Sequence, residues 1–424
     1  MDRVAVTSTA GQPALHRRLG VTDAVLTGLG AMLGAGIFVT LAPVAASAGS
    51  GMLLALGLAA AVAYCNARSS ARLATAYPAA GGTYVYGREE LGRFWGHLAG
   101  WSFVVGKTAS CAAMALTAGY YLWPDQAHAV AVAAVLAFTA LNCFGISKSA
   151  WALRLIVAVV IVVLALVVVI GLTSPAVATD RLDLGGSTVT GVLGGAALWF
   201  FAFAGYARIA TLGEEVRDPE RTISRAITIA FIIVLTLYAL VAVTALVVVG
   251  YPALSGSSAP LVDVVHLSGH GGLAPVVRIG AAVAALGALL TLILGVSRTT
   301  LAMARDRHLP GVLATVHPRY AVPQYAEIAV GSIVAVLVAT VDVRGAIGFS
   351  AFSVLIYYAV ANASAWSLAG REPSRRGVAA ARVVPALGVI GCLALSFSLS
   401  LGTVLAGVVV LAVGACAFAA QSRR

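Results

Sequence analysis

Gly28-Leu29-Gly30-Ala31-Met32-Leu33-Gly34-Ala35-Gly36-Ile37-Phe38 lies midway through a first apolar segment that is otherwise long enough to cross a bilayer. A second glycine interruption, Ala204-Gly205 within Phe200-Phe201-Ala202-Phe203-Ala204-Gly205-Tyr206, falls midway through the sixth such segment. Glycine lets a helix unwind, and an unwound turn at membrane depth exposes backbone N–H and C=O groups. Such groups are tolerated there only where they line a cavity or hold a ligand. Helices broken at corresponding places in two halves of a membrane chain point to the substrate site of a secondary transporter. A nucleotide-binding reading of the glycines fails on context, because no strand precedes them and no βαβ unit follows. Gly30 and Gly34, four apart, also suit close helix packing, which accounts for part of the run.

Composition agrees with a membrane chain. Of 424 residues, 60% are hydrophobic and only 10% charged; the mean hydropathy is +0.97. A water-soluble protein of this size could not bury so much apolar surface. Uncharged runs extend from Ala24 to Ala67, Ala226 to Val262 and Val383 to Ser422. Each is long enough for at least two spans, with turn signals such as Gly49-Ser50-Gly51 and Tyr251-Pro252 inside. No cleavable signal peptide is evident, because the polar N-terminal segment leads into an apolar run too long for one.

The reading is an all-α protein of about twelve transmembrane helices. The expected limits are 22–43, 51–77, 96–121, 127–145, 153–173, 190–211, 224–249, 274–303, 323–341, 345–369, 382–399 and 402–420. Residues 1–21 form an N-terminal segment, 22–173 a first repeat and 190–369 a second. An odd number of helices per repeat inverts the second copy relative to the first. Residues 382–420 are two additional peripheral helices. Of the 27 Lys and Arg, 21 fall on the side of the N-terminus or its helix ends. On the other side fall Arg181, Arg278 and Arg344, while Lys107, Arg208 and Arg298 lie within spans. Positive charge marks the cytoplasmic side, so both termini are expected there, in the inner (plasma) membrane. The basic residues are dispersed in short loops, which argues against a nucleic-acid partner. The five cysteines are scattered through apolar runs, and no metal or cofactor is expected.

Four motifs in order carry a resemblance. Gly34-Ala35-Gly36-Ile37-Phe38 is similar to the first-helix signature of the amino acid–polyamine–organocation transporter superfamily. Tyr77-Pro78-Ala79-Ala80-Gly81-Gly82-Thr83-Tyr84 followed by Gly100-Trp101 resembles its loop between the second and third helices. Phe200 to Tyr206, then Glu214-Glu215-Val216-Arg217-Asp218-Pro219, resembles its sixth helix and the loop after it. Ser297-Arg298 and Met303 to Pro310 resemble the end of its eighth. The resemblance implies a leucine-transporter-like fold with a five-plus-five inverted repeat. It also implies an amino acid permease working by alternating access as a symporter or antiporter, with the proton as candidate coupling ion. By position, Ala31, Met32, Gly34, Ala35 and Gly36 would receive a substrate carboxylate. Phe201, Ala202 and Phe203 would offer carbonyls to its ammonium. Phe201, Phe203 and Tyr206, beside Gly205, would form an aromatic wall and gate.

The sequence departs from proton-coupled relatives, which often carry a lysine in the fifth helix; alignment places Val160 there. Lys107, mid-way along the third span, is then a candidate proton carrier or a structural cation. Arg208 either faces the site or snorkels toward the cytoplasm. Arg298 is expected to pair with a carboxylate or carbonyls, and Glu214 and Glu215 either close an inner gate or form a solvated loop pair. Asp23 serves similarly or merely begins its helix. No carboxylate is expected in the membrane core, which tilts against cationic substrates. The alternatives are a membrane amino acid sensor that transports nothing, and a polyamine or cationic amino acid antiporter of the same family. Convergent acids or histidines at depth, which an enzyme would need, are not apparent, and the oligomeric state is not legible.

Overall fold

The computed structural model describes residues 20–77, 81–145, 150–210, 216, 218–371 and 374–421. Helices make up nearly all of this, and no strand runs among the described residues. The first pass is divided into α1 (Val21–Met32) and α2 (Gly36–Ala48). There follow α3 (Met52–Ala76), the short α4 (Thr83–Leu91), α5 (Arg93–Leu122), α6 (Ala127–Cys143) and α7 (Ala150–Leu172). The sixth pass is again divided, into α8 (Val189–Phe203) and α9 (Ala207–Ala210). After α10 (Pro219–Val248) come the short α11 (Tyr251–Gly256) and α12 (Pro260–Leu267). The chain ends with α13 (Ala274–Arg305), α14 (Gln324–Thr340), α15 (Val343–Ala369), α16 (Arg375–Phe397) and α17 (Leu401–Gln421).

Eight helical stretches among the described residues are long and apolar enough to cross a membrane, and α1, α8 and α14 are shorter apolar helices. Local chemistry sets several boundaries. Thr188 and Asp342 accept backbone N–H bonds at the starts of α8 and α15, and Pro219 opens α10, where its missing N–H has no helical partner to lose. The start of α1 and the end of α17 lie on one side of the bundle, with α4; this is termed the terminal face.

The packing is symmetrical. Helix α1 lies on α10 as α8 lies on α3, α2 meets α8, and α6 pairs with α14. These contacts interchange when each pass is replaced by the one five later, as an inverted five-plus-five arrangement requires. The helix α15 is buried through most of its length, whereas α16 and α17 are mostly exposed. The last two helices are therefore peripheral. Trp101 on α5 donates to the Val410 carbonyl and anchors α17.

Candidate functional site

The two breaks lie against each other at the centre of the bundle. A Cβ at Gly36 would stand 2.8 Å from the Ala202 Cα, and one at Gly205 would stand 2.4 Å from the carbonyl carbon of Ala31. Neither approach tolerates a side chain, because both obstacles are backbone. Gly34 is held on its other side by Ala288 of α13. The expected residues Ala31 to Gly36 and Ala202 to Gly205 are thus brought together, and the glycines are what allow it.

The backbone between α1 and α2 leaves polar groups open. The Leu33 amide still bonds to Leu29, and Ala35 accepts from Phe38 and Val39 as α2 begins. Among the described residues, the amides of Gly34, Ala35 and Gly36 donate to no group, although all three residues are buried. Buried N–H groups almost always have partners. Here they sit at the positive end of a 13-residue helix, where an anion is favoured.

Carbonyls converge from the other side. The Tyr238 hydroxyl on α10 donates to the Met32 carbonyl at 2.5 Å and lies 3.2 Å from the Ala202 carbonyl, so one phenol ties both breaks. Tyr358 of α15 reaches the Ala204 carbonyl at 3.4 Å, and Tyr121 of α5 donates to Phe38 at 3.0 Å. The sequence reading missed these tyrosines. The available signal was a single polar aromatic inside the otherwise aliphatic stretch of α10.

The aromatic wall expected from Phe201, Phe203 and Tyr206 is divided. Phe201 and Phe203 are two residues apart, so they leave α8 on different sides. Phe203 packs on Phe231 and Tyr238 of α10. Tyr206 packs on Tyr358, 5.1 Å between centroids, and is fully buried. Phe201 alone joins the apolar cluster containing Ala35, Cys111, Ala285 and Ala288.

Lys107 stands one turn from Cys111 on α5. Its neighbours on that face look inward: Phe103 packs on Tyr357 with the rings tilted and Gly100 packs on Met303. A separate apolar groove that α5 shares with α14, α15 and α17 is lined by Val104, Val105, Thr108 and Ala112 instead. Lys107 makes no hydrogen bond or ion pair among the described residues. Val160 is fully buried on α7, whose Leu153 and Val157 abut Gly30, so the fifth pass presents no charge to the break in the first.

A buried carboxylate stands near the start of a span. Glu327 of α14 is a fully buried carboxylate within an apolar helix. It accepts from Ser297 at 2.5 Å and Asn142 at 3.5 Å, and exposed Arg298 acts on its charge. The residue stands in the first turn of α14, where its burial depends on the neighbours Ser297 and Asn142 rather than on anything local in the sequence. Arg208 is exposed on α9. Glu214 and Glu215 lie outside the described residues. Asp23 meets Arg154 at 2.8 Å, linking α1 to α7. Further ties at the terminal face join Arg88 to Asp306 and Arg371 to Glu90, both at 3.1 Å.

The sequence pattern of amino acid permeases matches residues 19–417. An uncharacterized transporter of Mycobacterium tuberculosis is 63% identical over 405 residues, covering 95% of this chain and 91% of the relative. The branched-chain amino acid permease BcaP of Bacillus subtilis is 25% identical over 448 residues, 99% and 96% of the two chains. Human cationic amino acid transporter 4 is 28% identical over 374 residues, 82% of this chain and 59% of the human one. With its paired broken helices, free helix-start amides and match across nearly its whole length, the chain belongs to the amino acid permease family of membrane transporters.

Proposed function

We propose that the protein is a secondary active transporter of neutral, aliphatic amino acids, with both termini in the cytoplasm, working by alternating access. The observation that carries this is the trio of partnerless amides at Gly34, Ala35 and Gly36, beside an apolar cluster. A substrate carboxylate satisfies the amides, and carbonyls at the ends of α1 and α8 receive the ammonium. The side chain then meets Ala35, Phe201, Cys111 and Ala288, which suit methyl groups and offer no counter-charge. The name of the B. subtilis relative agrees with such a substrate.

The cationic reading draws on the name of the human relative and on Glu327. Its partner Ser297 is nine residues beyond Ala288, about 13 Å along α13, and its oxygens face Ser297 and Asn142. Lys107 would repel a cationic side chain. The basic bias of the terminal face supports its cytoplasmic location. Lys107 serves as the coupling charge in the absence of one at Val160. Terminal-face ion pairs, with Arg298 and Arg208 nearby and the Glu214-Glu215 loop, govern inner gating.

Purified protein in liposomes, offered labelled amino acids, tests the substrate. Leucine, isoleucine and valine are expected to accumulate and to compete with one another. Uptake of arginine or lysine in preference to them would overturn the reading.

A further inference from the structure

A second polar site lies away from the transport path. At the terminal-face ends of α3, α10 and α16 there is a cavity of about 370 Å³. Arg68, Ser69, Arg72 and Thr75 line it from α3, Ser224 from α10 and Pro385 from α16. None of its described lining residues is acidic. The Ser69 side chain is 2% exposed, and its hydroxyl makes no hydrogen bond. A buried hydroxyl without a partner, lining a cavity with two guanidinium groups, marks a place for an anion.

The fold holds one guanidinium in place. Pro385 has no N–H, so the Ala381 carbonyl four residues earlier loses its helical donor. Arg72 Nη1 lies 3.5 Å from that carbonyl oxygen, across the gap between α3 and α16. The proline in α16 thereby leaves a carbonyl that Arg72 meets at the cavity wall. Arg68, one turn away on the same helix, is exposed beside it.

The surroundings identify the anion's carrier. From the cavity toward the middle of the membrane, the same three helices expose Tyr64, Ile232 and Leu387. Acyl chains have an apolar surface to follow directly above a basic polar socket. Basic pockets between transmembrane helices on the cytoplasmic side suit phosphate headgroups. We propose that this cavity binds the headgroup of an anionic phospholipid in the inner leaflet, given the orientation argued above. The phosphate is held by Arg68, Arg72 and the Ser69 hydroxyl. The site is independent of which amino acid is carried.

Native mass spectrometry of the full chain, titrated with phosphatidylglycerol and separately with phosphatidylcholine, tests it. One phosphatidylglycerol is expected to be retained in preference to phosphatidylcholine. Each basic side chain near anionic lipid contributes about a factor of five, so the Arg68→Gln/Arg72→Gln pair should weaken retention about 30-fold. Arg68→Gln alone, at an exposed position that leaves the fold intact, should weaken it about fivefold. Equal retention of the two lipids, or undiminished phosphatidylglycerol retention by Arg68→Gln, would overturn the proposal. Stabilisation by inorganic phosphate without selective lipid retention would overturn the lipid assignment. Leucine uptake tests the transport reading separately, because that reading does not require this cavity.

Discussion

At Gly205 one methyl group is enough to separate the two broken helices. Its Cβ would overlap the Ala31 carbonyl, and backbone cannot rotate away as a side chain can. Gly205→Ala is therefore expected to abolish uptake and lower thermal stability, and Gly36→Leu to abolish substrate binding. Normal transport by either folded variant would refute the placement of the site. Tyr238→Phe keeps the ring and removes the donor shared by Met32 and Ala202. Leaving buried carbonyls unmet costs about 1–3 kcal/mol, so the midpoint in thermal unfolding should fall and apparent substrate affinity should change together. The glycines were legible because a residue without a side chain at membrane depth has few explanations. Tyr238 was not, because its value depends on which carbonyls lie opposite, a three-dimensional fact. The division of Phe203 from Phe201 was legible in principle from helical geometry, but the adjoining break blurred the face each one would take.

Among the elements, α4 and the end of α13 form a titratable joint with α5 and α17. Tyr84 donates to Asp306 at 2.5 Å and lies 3.0 Å from His308 Nδ1. The His97 and His308 rings meet edge to face, 5.0 Å apart, and Gln421 of α17 donates to the His308 carbonyl. Burial first, then the neighbouring His97, holds the His308 imidazole below its usual 6.5, with Arg93 and Arg88 acting in the same direction and Asp306 against them. The folded protein thus binds this proton less readily than the unfolded chain. The stability conferred by the neutral ring is complete above the unfolded value and is lost as pH falls through it toward the lower folded one. The thermal midpoint should accordingly drop between about pH 7 and pH 5, and His308→Asn should remove part of that drop. An unchanged slope in the variant would exclude His308 as the titrating group. The sequence indicated the motif from Met303 to Pro310, but not that its histidine would be covered by the last helix.

For the whole molecule, the order of passes and the two breaks were readable because lipid demands long apolar helices and punishes every departure from them. Glu327 was harder to place, because a carboxylate near a span's end and one within the core look alike in one dimension. Lys107 bears on the complete transport cycle. If it carries the coupling charge, Lys107→Met should flatten the pH dependence of uptake and prevent accumulation against a gradient, while exchange survives. Unchanged pH dependence with normal accumulation would leave it a structural cation. The free amides of Gly34, Ala35 and Gly36 have one more consequence, in isotope exchange. An amide bonded within a helix exchanges with deuterium only after the structure opens, whereas these three need only water in the chamber. They should label within seconds when leucine is absent and slow sharply when its carboxylate lands. The same short peptide then serves as a built-in occupancy gauge, readable without any radiolabel or mutation.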